Sequence, residues 1–240
     1  MKKSVKKLSV IIPAYNEAGT IFRVLEKVIG AELPAAVEKE IWVIDDCSAD
    51  DTEREVEKAQ AQYADACIRY LRLPANRGKG YAVRQGIARS TGDVIIIQDA
   101  DLEYDPDDYR VLLEPILSGE YRVVYGSRLL GGDNKPIYRT FYWGGRLVSF
   151  VTSLLFSRKI TDEPTCYKMF DASLLKSIPL VCDRFGFCPE VMAKVLRRGY
   201  KIKEVPIRYY PRSRQEGKKI KWHDGVEAIG ILLKYRFNEK

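Results

Sequence analysis

The sequence is short of the residues that build metal–thiolate and imidazole chemistry. It contains one histidine, His223, and five cysteines, Cys47, Cys67, Cys166, Cys182 and Cys188, with no CxxC pair among them. An odd count without paired spacing indicates neither a disulfide framework nor a zinc site, so reduced, mostly buried thiols are expected. No stretch reaches the roughly 20 apolar residues that a membrane span requires; the longest charge-free, mostly apolar run is Leu147 to Ser157. Met1-Lys2-Lys3 is basic, but a strand pattern with Pro13 follows in place of a signal-peptide core and cleavage site. The GxxxxGK(S/T) spacing of a Walker loop is missing, and no GxGxxG follows the first strand pattern. Repeats and low-complexity tracts are absent as well. The expectation is a cytoplasmic chain, peripheral at the cytoplasmic face of a membrane.

What the sequence does hold is a core and a positive charge. A hydrophobic content of 46% over 240 residues suffices for one large domain. The net charge of +7 is unevenly placed: from Lys194 to Lys221 the acids are Glu204 and Glu216, against eleven Lys or Arg. Such a segment suits nucleic acid, anionic lipid or a phosphorylated substrate, and in part a plain solvated surface.

Asp99-Ala100-Asp101 is the most informative feature. It follows Val94-Ile95-Ile96-Ile97, a charge-free β-branched run that reads as a strand buried on both faces, central in a parallel sheet. Two carboxylates one residue apart at the carboxyl end of such a strand form a hard-oxygen site suited to Mg²⁺ or Mn²⁺ shared with substrate phosphates. Ligands of open α/β sheets bind at that edge. The bland alternative is a turn or cap acid, since Asp is common in both.

Strand and helix patterns alternate around this point. Leu8 to Ile12 is the first strand, Glu17 to Ile29 a helix with Ile21, Val24, Leu25 and Val28 on one face, and Glu40 to Ile44 the second strand. Ser48 or Asp50 is expected to cap the next helix. Cys67 to Leu73, Val94 to Gln98 and Arg122 to Tyr125 read as further strands, and Gly80 to Arg89 as a helix. Another helix is expected to start at Asp105-Pro106. This order predicts a mostly parallel sheet with helices on both faces. In the second half, Phe141 to Phe156, Pro189 to Arg198 and Asp224 to Tyr235 read as helices and Ile202 to Tyr210 as a strand. The segment Tyr138 to Lys159 combines an amphipathic helix with aromatic and basic flanks, which fits an interfacial membrane element as well as a core-packing helix.

Four strand ends carry polar residues: Pro13-Ala14-Tyr15-Asn16-Glu17, Asp45-Asp46, Asn76-Arg77-Gly78-Lys79-Gly80 and Asp99-Ala100-Asp101. Each is weak alone, but together they describe a nucleotide-sugar site, with glycines for close backbone approach and cations for a diphosphate. With Gly126-Ser127-Arg128 and the Gln98–Glu103 run, they resemble the family 2 inverting glycosyltransferases, most closely the dolichol-phosphate mannose synthase (polyprenyl-phosphate glycosyltransferase) branch. The resemblance spans nearly the whole chain. It implies a GT-A fold over residues 1–240, with a nucleotide-sugar half (1–128) and an acceptor and membrane-facing half (129–240).

By that resemblance, Pro13, Tyr15, Glu17, Asp45 and Asp46 surround the nucleoside and Lys79 lies on the nucleotide side. Asp99, Ala100 and Asp101 face the ribose, diphosphate and metal, and Arg128 joins the nucleotide-sugar set. Glu103 stands where the branch often has a metal-binding Gln, giving a ligand set of Asp99, Asp101 and Glu103. Residues Thr161 to Phe170 correspond to the acceptor loop, here with Glu163 before Pro164 and Cys166-Tyr167 in place of Gly-Phe. Arg212 to Ile220, including Arg214 and Lys218, resembles the branch's basic loop over the donor and acceptor phosphates. The implied reaction is metal-dependent inverting transfer from GDP-mannose or a UDP-hexose to a polyprenyl phosphate, with Asp99, Asp101, Asp162 and Arg212 carrying it. A phosphate acceptor is largely dianionic and attacks unaided. A lipid or glycan hydroxyl would need a base, with Asp162 or Glu163 the candidate. His223 reads as a cap or surface residue. A sugar-nucleotide uridylyltransferase lacks support without a glycine-rich signature, and a non-catalytic membrane- or nucleic-acid-binding module leaves the aspartates unexplained. The expected partners are therefore the nucleotide sugar, the lipid phosphate and an anionic membrane surface, with no nucleic acid. A membrane-anchoring partner or a homo-oligomer is also compatible.

Overall fold

The central run Val94–Ile97, fully buried, forms β4 of a seven-stranded sheet. The computed structural model describes residues 4–34, 37–131, 134, 139–212 and 222–238. Strand β1 (Lys7–Ala14) lies between β2 (Glu38–Asp45) and β4, and β3 (Ile68–Arg72) pairs outside β2, all in parallel. The chain moves outward from β1 to β3, then returns to β4 on the other side of β1. The reversal opens a crevice beyond the carboxyl ends of β1 and β4, where ligands of such sheets bind. The full order is β3-β2-β1-β4-β6-β5-β7.

The helices between these strands follow from their apolar stripes. Helix α1 (Ile21–Gly30) buries Ile21, Val24, Leu25 and Val28, the face expected from spacing. It starts later than the pattern suggests, because the Glu17 carbonyl accepts from the Thr20 and Ile21 N–H groups in a turn that follows Asn16 at φ 51°. At the start of helix α2 (Thr52–Gln62), Asp50 is the one of the two expected capping residues that bonds the first turn. Asp50 Oδ1 accepts from the Thr52 N–H at 3.1 Å, while the Ser48 hydroxyl is spent on Asp45. Helix α3 (Lys79–Arg89) begins directly after Gly78, whose φ of +93° favours glycine. A Cβ at Gly78 would also meet the Arg184 backbone at 2.8 Å. Asp105-Pro106 opens a 3₁₀ turn (Pro106–Asp108) before α4 (Tyr109–Leu117).

The second half departs more from expectation. Residues expected to be an acceptor loop contain β6 (Lys168–Asp171), which runs antiparallel between β4 and β5 (Val123–Ser127). Two charged ends around Met169 and Phe170 hide it in the sequence. The buried Lys168 is tolerated because its Nζ donates to the carbonyls of Glu163 and Thr165. Strand β7 (Ile202–Pro206) pairs parallel to β5 and stops at Pro206, short of the expected Tyr210. Helices α5 (Arg139–Phe156), α7 (Phe187–Arg197) and α8 (Trp222–Phe237) pack together on this half, with α6 (Ala172–Lys176) a single short turn. Val148, Ala193, Leu232 and Tyr235 form a small second core between them. No helix among the described residues is long and apolar enough to cross a membrane.

Candidate active site

Beyond the carboxyl ends of β1 and β4, five charged side chains form three ion pairs. Lys79 Nζ lies 2.5 Å from Asp99 Oδ1 and also donates to Cys166 Sγ at 3.3 Å. Arg212 bridges the crevice, with one nitrogen 3.1 Å from Asp101 Oδ2 and another 3.3 Å from Glu17 Oε2. Burial works against the charged form of Asp99, but Lys79 overrides it and holds the carboxyl below its ordinary value. Asp101 is in the opposite condition. Burial, then repulsion from Asp99 and Glu103, pushes its pKa up to about 7 against the pull of Arg212. The site therefore concentrates more negative charge than its own cations neutralise comfortably.

Buried tyrosines and Gln98 brace the backbone that carries these carboxylates. Gln98, at the end of β4, accepts at Oε1 from the hydroxyls of Tyr109 (2.7 Å) and Tyr167 (2.6 Å), and its amide donates to the Asp99 carbonyl. Tyr104 stacks on Tyr167, and its hydroxyl oxygen accepts from the Cys166 backbone N–H at 2.9 Å. Asp101 Oδ1 accepts from the Glu103 N–H across Leu102, which sits at φ 63°. A leucine in that region is uncommon, and the turn made there brings the Glu103 N–H onto the Asp101 carboxylate.

Glu103 sits beside the pair with both oxygens engaged. Oε2 accepts from the Tyr209 hydroxyl at 2.8 Å and Oε1 from the Arg212 N–H at 2.7 Å. Among the described residues no group of three or more Asp, Glu, His or Cys side chains is arranged to hold a metal ion as the side chains stand, although Glu103 lies near enough to Asp101 to push its pKa up. The observed work of Glu103 is to hold the backbone of Arg212 over the crevice. Ala100 is buried between the two aspartates.

The nucleoside-side candidates are similarly occupied. Asp45 accepts from the Ser48 N–H and hydroxyl and, at 2.7 Å, from the Tyr70 hydroxyl. Asp46 accepts from the N–H groups of Arg77 (2.9 Å) and Gly78 (2.6 Å), which pins the glycine loop to the end of β2. Burial nevertheless raises the Asp46 pKa. Pro13 lies on β1 opposite Ile44, and Tyr15 is exposed at the mouth.

The buried Asp162 and the partly exposed Arg128 form a separate unit. The Arg128 guanidinium donates to both Asp162 oxygens at 2.8 and 2.7 Å, and its backbone N–H adds a third bond at 2.9 Å. The guanidinium also lies 5.0 Å from the centre of the Tyr209 ring. Glu204 accepts from the N–H groups of Thr161 and Asp162 and so anchors the loop from below. Glu163 is buried with Oε1 unpaired. Burial pushes its pKa up to about 7, Lys168 pulling it down and Asp162 pushing it up. His223 is exposed beside Asp224 at the start of α8. Arg214 and Lys218 lie outside the described residues.

Sequence reasoning missed Cys166, Gln98, Tyr104 and Tyr209 as supports of the site. Gln98 had a signal, a buried amide ending an apolar strand. The Glu17–Arg212 pair had none, since its members are far apart in the chain.

Residues 9–178 match the glycosyl transferase family 2. The chain belongs to that family. A dolichol-phosphate mannosyltransferase of Pyrococcus furiosus is 29% identical over 217 residues, covering 88% of this chain and 59% of that protein. A low-salt glycan biosynthesis hexosyltransferase of Haloferax volcanii is 27% identical, covering 94% and 53%. The chain thus spans little more than half the length of these two relatives. A dolichyl-phosphate beta-glucosyltransferase of Trichomonas vaginalis is 27% identical, covering 96% of this chain and 74% of that one. In three dimensions the chain resembles glucosyl-3-phosphoglycerate synthase of Mycobacterium tuberculosis crystallised with Mn²⁺, UDP and glucosyl-3-phosphoglycerate. The TM-score is 0.74 at 21% identity, over 98% of this chain and 81% of that one. The fold is GT-A, as the family resemblance implies.

Proposed function

We propose that the chain transfers a hexose from a nucleoside diphosphate sugar to a polyprenyl phosphate, with inversion at the anomeric carbon, at the cytoplasmic face of a membrane. The observation that carries this reading is the pair Asp99 and Asp101 at the end of β4, each held by a cation of the chain, Lys79 and Arg212. Two aspartate carboxylates beside a crevice fit a Mg²⁺ or Mn²⁺ ion completed by substrate oxygens, and the excess negative charge around Asp101 favours a cation there. Asp99 and Asp101 would hold that ion, which neutralises charge gathering on the departing diphosphate.

The chain's own residues account for the rest. An oxygen of the acceptor phosphate bonds to the anomeric carbon as the bond from that carbon to the diphosphate breaks, and the nucleoside diphosphate leaves with the electron pair. Lys79 and Arg212, released from their aspartates, are placed to pair with diphosphate oxygens, where Arg offers a two-pronged contact. Asp46 fixes the glycine loop whose backbone approaches the nucleotide. Tyr15 at the crevice mouth offers a face to the base. A phosphate nucleophile needs no base, which agrees with Asp162 having both oxygens committed to Arg128. On this reading Asp162 and Arg128 shape the acceptor loop, and the alternative of a hydroxyl acceptor loses its first base candidate. The names of the Pyrococcus and Trichomonas relatives support the lipid phosphate.

The test is a panel of labelled GDP- and UDP-sugars with Mn²⁺, each offered a polyprenyl phosphate and the corresponding free polyprenol. Transfer to the phosphate alone is expected. Transfer to the alcohol with none to the phosphate would overturn the acceptor while leaving the family membership standing.

A further inference from the structure

Helix α5 has two faces of opposite character. Its inner face, Val148, Ser149 and Thr152, is buried, and the Ser149 hydroxyl accepts from the Glu163 N–H of the acceptor loop at 2.9 Å. Its outer face carries Trp143, Leu147, Phe150 and Leu154, spaced by four, three and four residues, so they share one side of the helix. All four are more than half exposed, from 55% at Leu147 to 70% at Leu154. Helix α8 packs beside α5 and adds exposed Val226, Leu233 and Phe237, again on one side. The Arg236 guanidinium lies 5.8 Å from the Phe156 ring and 5.9 Å from the Phe237 ring, which brings the C-terminal ends of the two helices together.

Charge selects the occupant. Helix α5 contains no acid, and the acids of α8, Asp224 and Glu227, lie in its first two turns. The joined C-terminal ends carry exposed Arg158, Lys159, Lys234 and Arg236. An apolar stripe of this length on a water-facing helix is costly unless covered. Insertion of its large side chains with the cations at headgroup level is the geometry of an interfacial helix.

We propose that the outer faces of α5 and α8 seat together on an anionic lipid bilayer. The inference deepens the lipid-phosphate reading and rests on it for the reason a bilayer is needed. A helix about 10 Å thick separates this face from the loop held by Ser149, so a lipid phosphate leaving the bilayer at α5 has a short route to Asp162 and the crevice.

The test is flotation of the full chain with vesicles of phosphatidylglycerol and phosphatidylcholine in equal parts, and with phosphatidylcholine alone. The wild type is expected to float with the anionic vesicles, and less as salt rises. Phe150→Ser with Leu154→Ser should weaken partition tenfold or more, since each removes a large apolar group from the bilayer. Lys159→Gln with Arg236→Gln should weaken it about fivefold per cation on anionic vesicles only. Both variants should keep the wild-type melting temperature and full transfer to a short, water-soluble polyprenyl phosphate. No flotation of the wild type, or undiminished flotation of the Phe150/Leu154 variant, would overturn the proposal. So would a lipid-free dimer that this variant dissociates, which would assign the face to a second copy. Flotation intact with no transfer to any phosphate acceptor would instead sink the acceptor reading and leave the surface in place.

Discussion

The two edges of the sheet hold buried carboxylates in opposite electrostatic condition. Near the amino-terminal edge, Glu40 accepts from the Ser9 hydroxyl at 2.7 Å and from the N–H and hydroxyl of Thr91 at 2.8 and 3.0 Å. Burial pushes its pKa up, but these neutral donors win and hold it below the ordinary value. At the carboxyl-terminal edge, Asp101 is crowded by Asp99 and Glu103 and rises to about 7. Its main counter-charge, Arg212, arrives from the far end of the chain. The first arrangement closes a structural joint. The second keeps carboxylates in tension, and on the proposed function the cations that hold them would be drawn away by substrate, leaving a site for a metal ion.

Asp101→Ala should break this contrast most severely. Transfer is expected to fall about 10³-fold or more, the loss of several kcal/mol of charge stabilisation. The fold should tolerate it, because removing one of three like charges relieves repulsion. Initial rates and a urea melt check both halves. Next comes Glu163→Gln, which reads the cost of burying an acid near the site. With a folded pKa of about 7 above an ordinary 4.5, the folded chain binds the extra proton, so wild-type stability should fall as pH rises from 4.5 to 7. The total is of the order of 3 kcal/mol. The glutamine variant should lose most of that slope; an unchanged slope would show that Glu163 is not its source.

Arg212→Ala is expected to lower transfer about 10²-fold, the scale of removing one donor from a developing charge, and to weaken nucleotide binding. Equal kinetics would remove Arg212 from the site. The smallest effect belongs to the other edge. Glu40→Gln should cost about 1–2 kcal/mol, by spoiling the acceptor positions that Ser9 and Thr91 need, with transfer per folded molecule unchanged. A large activity loss in that variant would erase the distinction between the edges.

The same contrast explains what could be read in the sequence. Val94–Ile97 and its two aspartates are legible because a charge-free β-branched run has few other fates and its end must meet solvent or ligand. The parallel half of the sheet follows from strand and helix patterns alone. Strand β6 is not legible, since its four residues include Lys168, whose burial depends on carbonyls of a loop that only the fold supplies. Asp45 and Asp46 look alike in sequence, yet one braces the turn after β2 and the other pins the glycine loop. That difference depends on Tyr70 and on the path of Arg77-Gly78. The link of Glu17 to Arg212 is set by tertiary structure alone. The exposed stripe of α5 is visible as periodicity, but which of its faces is covered becomes plain only when α8 and the acceptor loop are in place.

The central claim is that Asp99 and Asp101 are held by Lys79 and Arg212 for a metal-bound diphosphate. Calorimetric binding of GDP and UDP, with Mn²⁺ and with chelator, tests it most directly in the wild type and in Asp101→Asn. The expected result is that Mn²⁺ strengthens binding of one nucleotide at least tenfold in the wild type and has little effect in the variant. Equal affinity with and without Mn²⁺ in the wild type, or full metal enhancement in Asp101→Asn, would contradict it.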